Sequence, residues 1–282
     1  MKDGHQLAMS ALVGYQNAAG VAVVTLDQPP VNALSLELRK QLLAALDRAD
    51  RDGDARAVVL RGAGRGFSAG ADLREFGTPA LTAQPSLIWH VHPAIEAMRK
   101  PVVAALHGMA IGGGLETALA CHARVAAENT LIGLPEVTLG VIPLVGTQRL
   151  PRLLPLDRAM DLMLSGSMRV AGEFAGTPLF DEITRPAELE QRAVRLALAA
   201  AEKGPPFPCT SRLSMSHPRT QEVLDEIAQR LQAQGGGTHA QRELLRAVAL
   251  AATAPDFGAG LERANSICQA LLASAGRAKR RG

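Results

Sequence analysis

The stretch KPVVAALHGMAIGGGLETALACHARVAA, residues 100–127, holds the pattern from which the rest of the chain is read. It begins with VVAAL, 102–106, a short β-branched run following Pro101 that predicts a buried strand. Gly112, Gly113 and Gly114 then open an apolar helical segment, and ARVAA, 123–127, predicts another strand. Working outward, VAVVTL at 21–26 and AVVL at 57–60 read as two more strands. Between them LELRKQLLAALDRA, 36–49, places Leu38, Leu42 and Leu46 on one helical face, with Ser35 as the N-cap. Alternation of this kind predicts an α/β fold with mostly parallel strands.

The second half changes character. A helix rich in Ala and Arg is predicted over 186–202, followed by a Pro-rich extended linker at 203–218. Further helices are expected near 219–233, 240–252 and 258–274. The expected division is a core of 1–185 and a helical section of 186–282.

The 282 residues are 47% hydrophobic and 20% charged, which suits a packed globular core. A net charge of +3, with no basic stripe, argues against a nucleic-acid partner. The basic cluster Arg277, Lys279, Arg280, Arg281 reads as a solvated terminus. No run of apolar residues is long enough to predict a membrane span. The opening MKDGHQLAMS lacks an apolar signal segment, so a reducing cytoplasm is expected. Cys121, Cys209 and Cys268 form no CxxC pair, and His90 and His92 fall on different helix faces; no metal site is expected. Cys121 reads as a buried inert thiol, and Trp89 and Met98 as core or pocket lining.

Two glycine-bearing strings carry the chemistry. In GRGFSAGADLREF, 64–76, small residues let a backbone approach a ligand closely. In HGMAIGGGLE, 107–116, the exposed N–H groups of a helix start can bind an anion or a developing oxyanion. A phosphate loop is excluded because no Gly-Lys-Ser/Thr follows, and the dinucleotide spacing is absent. Glu116 lies in the first turn of that helix, and Glu136 lies in GLPEVTLG. Two carboxylates beside backbone donors suit acid–base work on an activated carbonyl.

Residues 12 to about 185 resemble the enoyl-CoA hydratase/isomerase (crotonase) family. The resemblance rests on PPVNAL (29–34), FSAGADLREF (67–76), KPVVAALHGMAIGGGLE (100–116), GLPEVTLGVIP (133–143) and TQRLPRL (147–153). It is closest to the hydratase part of multifunctional β-oxidation proteins, whose following segment is similar to 186–274. The resemblance implies a crotonase-like spiral of ββα units. It also implies C-terminal helices that pack on neighbouring subunits of a homotrimer or hexamer. An acyl-CoA thioester is the implied substrate, with coenzyme A part of it and no separate cofactor. By motif position the oxyanion hole is formed by the N–H groups of Ala71 and Gly113. The catalytic glutamates are Glu116, the base for water, and Glu136, the acid. Coenzyme A is expected along Ala71, Asp72, Leu73 and Arg74, with Val31 and Ala33 near the adenine. Retention of both glutamates favours hydration of a trans-2-enoyl-CoA. Double-bond isomerisation or another acyl-CoA lyase reaction on the same fold is the alternative, and a non-catalytic CoA-binding or interaction protein is the alternative of another class. One departure stands out. The family's IPGAGGTQR turn is IPLVGTQR here, with Leu144 and Val145, which is expected to disturb an N–H near Glu136 that helps hold the water. Pro178 also replaces a common glycine and reads as a local turn change.

Overall fold

The computed structural model describes residues 11–215 and 219–279. The opening MKDGHQLAMS lies outside the described residues, as do Arg280 and Arg281 of the basic cluster.

Four of the strands expected from sequence form the middle of a six-stranded sheet. In chain order the strands are β1 (Val13–Ala18), β2 (Val21–Leu26), β3 (Ala57–Gly62), β4 (Val102–Leu106), β6 (Ala123–Ala127) and β9 (Glu182–Thr184). Adjacent strands follow that same order, with β1 and β2 antiparallel and every later pair parallel. The edge strands β1 and β9 escape the sequence reading because they are polar and half exposed. A second sheet joins β5 (Met109–Ile111), β7 (Leu131–Gly133) and β8 (Arg169–Val170). Its strands are two or three residues long, too short for periodicity to declare them.

Both faces of the large sheet are covered, which explains why its central strands read as continuous apolar runs. Ala22, Val24 and Leu26 face one core, together with Leu38, Leu42 and Leu46 of α1 (Leu36–Arg51). The Ser35 hydroxyl accepts the Leu38 N–H at 3.3 Å, capping that helix as expected. The alternate residues Val21, Val23, Val59, Val103 and Val125 face a second core, closed by Leu189, Ala193 and Ala197 of α6 (Leu189–Lys203). Thus α6, read with the C-terminal section, packs against the sheet itself.

The remaining helices are α2 (His92–Glu96), α3 (Gly113–Ala120), α4 (Gly146–Arg149) and α5 (Leu156–Ser165), then α7 (Thr220–Ala233), α8 (His239–Thr253) and α9 (Phe257–Lys279). The Pro-rich stretch before α7 is extended but not loose: Cys209 and Thr210 are buried, and the Thr210 hydroxyl donates to Leu119 O at 2.8 Å. Helices α7–α9 pack on their own chain, where Leu244, Val248, Leu261, Ile267 and Leu271 join the main core. Among the described residues no helix is long and apolar enough to cross a membrane.

Candidate active site

The site lies where three loops meet. Asn32 ties the first two together. Its φ of +52° is a conformation that asparagine tolerates better than most residues. Its side-chain N–H groups reach Ala63 O and Gly66 O, each at 2.9 Å, and Phe67 O at 3.2 Å. Its Oδ1 accepts the Gln28 N–H at 2.9 Å. Ala69 N–H donates to Val31 O, and Leu34 N–H to Gly70 O. The PPVNAL and FSAGAD segments therefore form one clamped unit.

Gly70 brings that unit against the third loop. It has φ +90°, and a Cβ there would stand 2.6 Å from Ile111 O and 3.0 Å from Gly113 N. A Cβ on Gly113 would in turn lie 3.5 Å from Ala71 N. The two amides expected to form an oxyanion hole are thus brought side by side. Among the described residues neither N–H has a hydrogen-bond partner. Gly113 is also the first residue of α3, so its N–H is one of those a helix leaves unpaired, at the positive end of its dipole. Beneath it the Thr117 hydroxyl donates to Gly113 O at 2.7 Å and contacts His92 Nε2 at 3.2 Å.

The two glutamates line one cavity of about 310 Å³ together with Ala71 and Gly113. Glu116 is buried, and its Oε1 accepts the N–H groups of Val145 at 2.9 Å and Gly146 at 2.8 Å. Two amides of the IPLVGTQR turn thus hold Glu116, while Ile142, Pro143 and Leu144 line the cavity that Glu136 shares. The turn is a helix start, and two of its unpaired amides aim at the nearest carboxylate. Burial raises the Glu116 carboxyl overall, against the smaller opposing pull of the Gly146 and Val145 amides and of Arg149. Glu136 has no such support. Its Oε2 is buried and unpartnered among the described residues. Burial first, and then the charge of Glu116, push it up to about 8. Two neighbouring carboxylates do not readily both ionise, and Glu136 is the one with an unpartnered oxygen. Gly112 makes room for it: at φ +52°, a Cβ would stand 2.8 Å from Glu136 Oε1.

A second cavity of about 370 Å³ is lined by Val31, Ala33, Ala71, Asp72, Leu73 and Arg74, together with Pro29 and Pro30. Ala71 is common to both cavities, so they adjoin at the amide pair. All the residues expected from sequence to line the ligand path are thereby gathered. Arg74 is exposed at the rim and ion-paired with Asp72 at 2.7 Å.

Sequence reasoning missed the far wall. Asn265, Cys268, Gln269 and Leu272 of α9 line the glutamate cavity, at the i, i+3, i+4, i+7 spacing of one helical stripe. Burial, and then the two glutamates, push the Cys268 thiol up to about 11. The opposite wall is the 76–90 segment, including Leu81, Leu87, Ile88, Trp89 and His90. Arg39 of α1 pins that segment, donating to Ala80 O and Pro85 O at 2.9 Å and pairing with Glu75 at 2.9 Å. Trp89 lines the cavity, whereas Met98 is core. His92 is buried away from His90, and Cys121 is buried with its thiol pushed up to about 12. Among the described residues no group of three or more His, Cys, Asp or Glu gathers as metal ligands would.

Comparison with known proteins agrees with this geometry. The sequence profile described as enoyl-CoA hydratase/isomerase matches residues 16–243. A probable enoyl-CoA hydratase of Bacillus subtilis is 42% identical over 191 residues, 66% of this chain and 74% of that protein. The peroxisomal bifunctional enzyme of Danio rerio is 39% identical over 260 residues, 90% of this chain; the chain spans only 35% of that larger protein. The crystal structure of an enoyl-CoA hydratase from Bacillus anthracis superposes with a TM-score of 0.61 at 30% identity, covering 85% of this chain and 90% of that one. The chain belongs to the enoyl-CoA hydratase/isomerase family, with the crotonase fold.

Proposed function

We propose that this protein is an enoyl-CoA hydratase that adds water reversibly, in the syn sense, to a trans-2-enoyl-CoA to give a 3-hydroxyacyl-CoA. The observation that carries the reading is a single cavity lined by two unpaired amides and two carboxylates in unlike environments. Coenzyme A lies along the 71–74 rim and the 29–33 loop, so the substrate brings its own carrier and no separate cofactor is required. The thioester oxygen accepts the N–H groups of Ala71 and Gly113, which stabilise the enolate charge as it forms. Removing one such donor from other enzymes costs roughly 3–4 kcal/mol.

Glu116, whose Oε1 accepts two amide N–H groups, takes a proton from water as the water oxygen bonds to C3. Glu136, held neutral, gives its proton to C2. Both carboxylates face the same side of the double bond, hence the syn sense. Afterwards the pair again holds one proton, now on Glu116, and the reverse reaction starts from that arrangement.

Glu116→Gln and Glu136→Gln are each expected to slow hydration by roughly 10²–10⁴-fold, followed through the absorbance of the conjugated thioester. Parent-like rates in both variants refute the assignment. A second reading, isomerisation of a 3-enoyl-CoA, is favoured by one observation: Glu136 has an uncommitted oxygen with which to carry a proton between C4 and C2. Loss of isomerisation in Glu136→Gln and its survival in Glu116→Gln would identify that activity. Tight acyl-CoA binding without turnover would instead mark a non-catalytic binding protein. The homotrimer or hexamer and the cytoplasmic setting belong to the same proposal, the assembly being read by light scattering.

A further inference from the structure

The acyl cavity is not apolar throughout: Thr82, Gln84, Ser86, His90, Asn265 and Gln269 line it among the aliphatic side chains. Ser86 caps the short helix at Leu87–Val91, its hydroxyl accepting the Trp89 N–H at 3.2 Å. The Ser86 backbone N–H donates to His90 Nδ1 at 3.2 Å, and the Ser86 hydroxyl lies 3.1 Å from the same nitrogen. Because Nδ1 accepts from a backbone amide, a neutral His90 carries its proton on Nε2. Among the described residues that Nε2 has no partner, and His90 lines the cavity. Leu87, three residues earlier, reaches within 3.3 Å of where a Gly113 Cβ would stand. The imidazole is thus carried on the same short helix whose first residue reaches the oxyanion amides.

The opposite wall repeats the theme from an unrelated part of the chain. Asn265 of α9 is partly buried, lines the same cavity, and its side-chain amide has no hydrogen-bond partner among the described residues. An unsubstituted alkyl chain lying between these side chains would strip water from an imidazole N–H and an amide and give nothing in return. An oxygen on the chain would satisfy them.

We propose that this cavity selects acyl groups bearing a hydrogen-bond-accepting oxygen beyond the reacting carbons (a hydroxyl, keto or carboxylate group), which the Nε2–H of His90 and the amide of Asn265 receive. This rests on the hydratase reading for the reacting end of the substrate, but the selectivity itself concerns binding.

The test therefore uses unreactive ligands first. Saturated acyl-CoAs of equal chain length, with and without a distal hydroxyl or carboxylate, are titrated calorimetrically into the full chain. The oxygenated partner is expected to bind about 5- to 20-fold tighter, the range of one or two net hydrogen bonds. His90→Phe and Asn265→Leu, on two separate elements, are each expected to shrink that ratio toward one. Equal affinities in the parent protein overturn the proposal, as does a ratio that neither variant changes. The matching trans-2-enoyl-CoAs are then assayed for hydration. A binding ratio without turnover leaves the selectivity standing and removes the hydratase reading; turnover of both substrates with equal kcat/KM and equal affinity does the reverse.

Discussion

Replacing Glu136 by Gln should make the folded chain less sensitive to alkaline pH. An unfolded Glu136 loses its proton near 4.5, whereas in the fold burial and Glu116 hold that proton to about 8. Between those values the folded state keeps a proton that the unfolded state has released. Stability due to this group is therefore greatest below 4.5, falls as pH rises, and levels off above about 8. At about 1.4 kcal/mol per tenfold change in proton affinity, the whole effect is about 5 kcal/mol. About 4 kcal/mol of it falls between pH 5 and pH 8.5. Glutamine has the shape of the neutral acid and cannot ionise, so the variant lacks this contribution. Urea unfolding at fixed protein concentration, at pH 5 and pH 8.5, measures the difference. The parent should lose several kcal/mol more than Glu136→Gln over that interval. If both lose the same amount to within about 0.5 kcal/mol, a common error of such extrapolations, Glu136 is not held neutral and its role as the acid fails with it.

The same protonation state governs rate. Hydration and dehydration both start from a pair holding one proton, so kcat/KM in each direction should fall about tenfold per pH unit above about 8; a flat alkaline limb in stopped or continuous assays contradicts it. Gly70→Ala would push a methyl into Ile111 O and toward Gly113 N. It should cost at least about 100-fold in kcat, with a smaller change in the binding of free coenzyme A, whose cavity lies on the other side of Ala71; parent-like kcat would refute the paired-amide geometry. Asn32→Ala leaves the carbonyls of Ala63, Gly66 and Phe67 without their shared donor and should lower the unfolding free energy by roughly 2–4 kcal/mol, read from urea midpoints. An unchanged midpoint would show that water replaces the side chain.

What the sequence made legible and what it hid follow from range. Gly70, Gly112 and Gly113 could be read because close backbone approach admits little else, Glu116 because it shares their string, and Glu136 because GLPEVTLG follows in the order of the family's motifs. The central strands were readable because burial on both faces leaves them uninterruptedly apolar. That the Val145 and Gly146 amides hold Glu116 could not be read, because motif order places them nearer to Glu136, whereas the helix start they form turns toward α3. The α9 stripe could not be read at all. Asn265 and Leu272 look like any amphipathic helix positions until the fold sets them against residues more than a hundred positions earlier.

That last contact has a consequence for biosynthesis. Every group assigned to bond-making is translated by residue 146, but the stripe that closes the cavity leaves the ribosome more than a hundred residues later. A nascent chain thus lacks one wall of this cavity until α9 has been made. Ligand capture should begin only at that stage, making docking of α9 the step that completes this cavity.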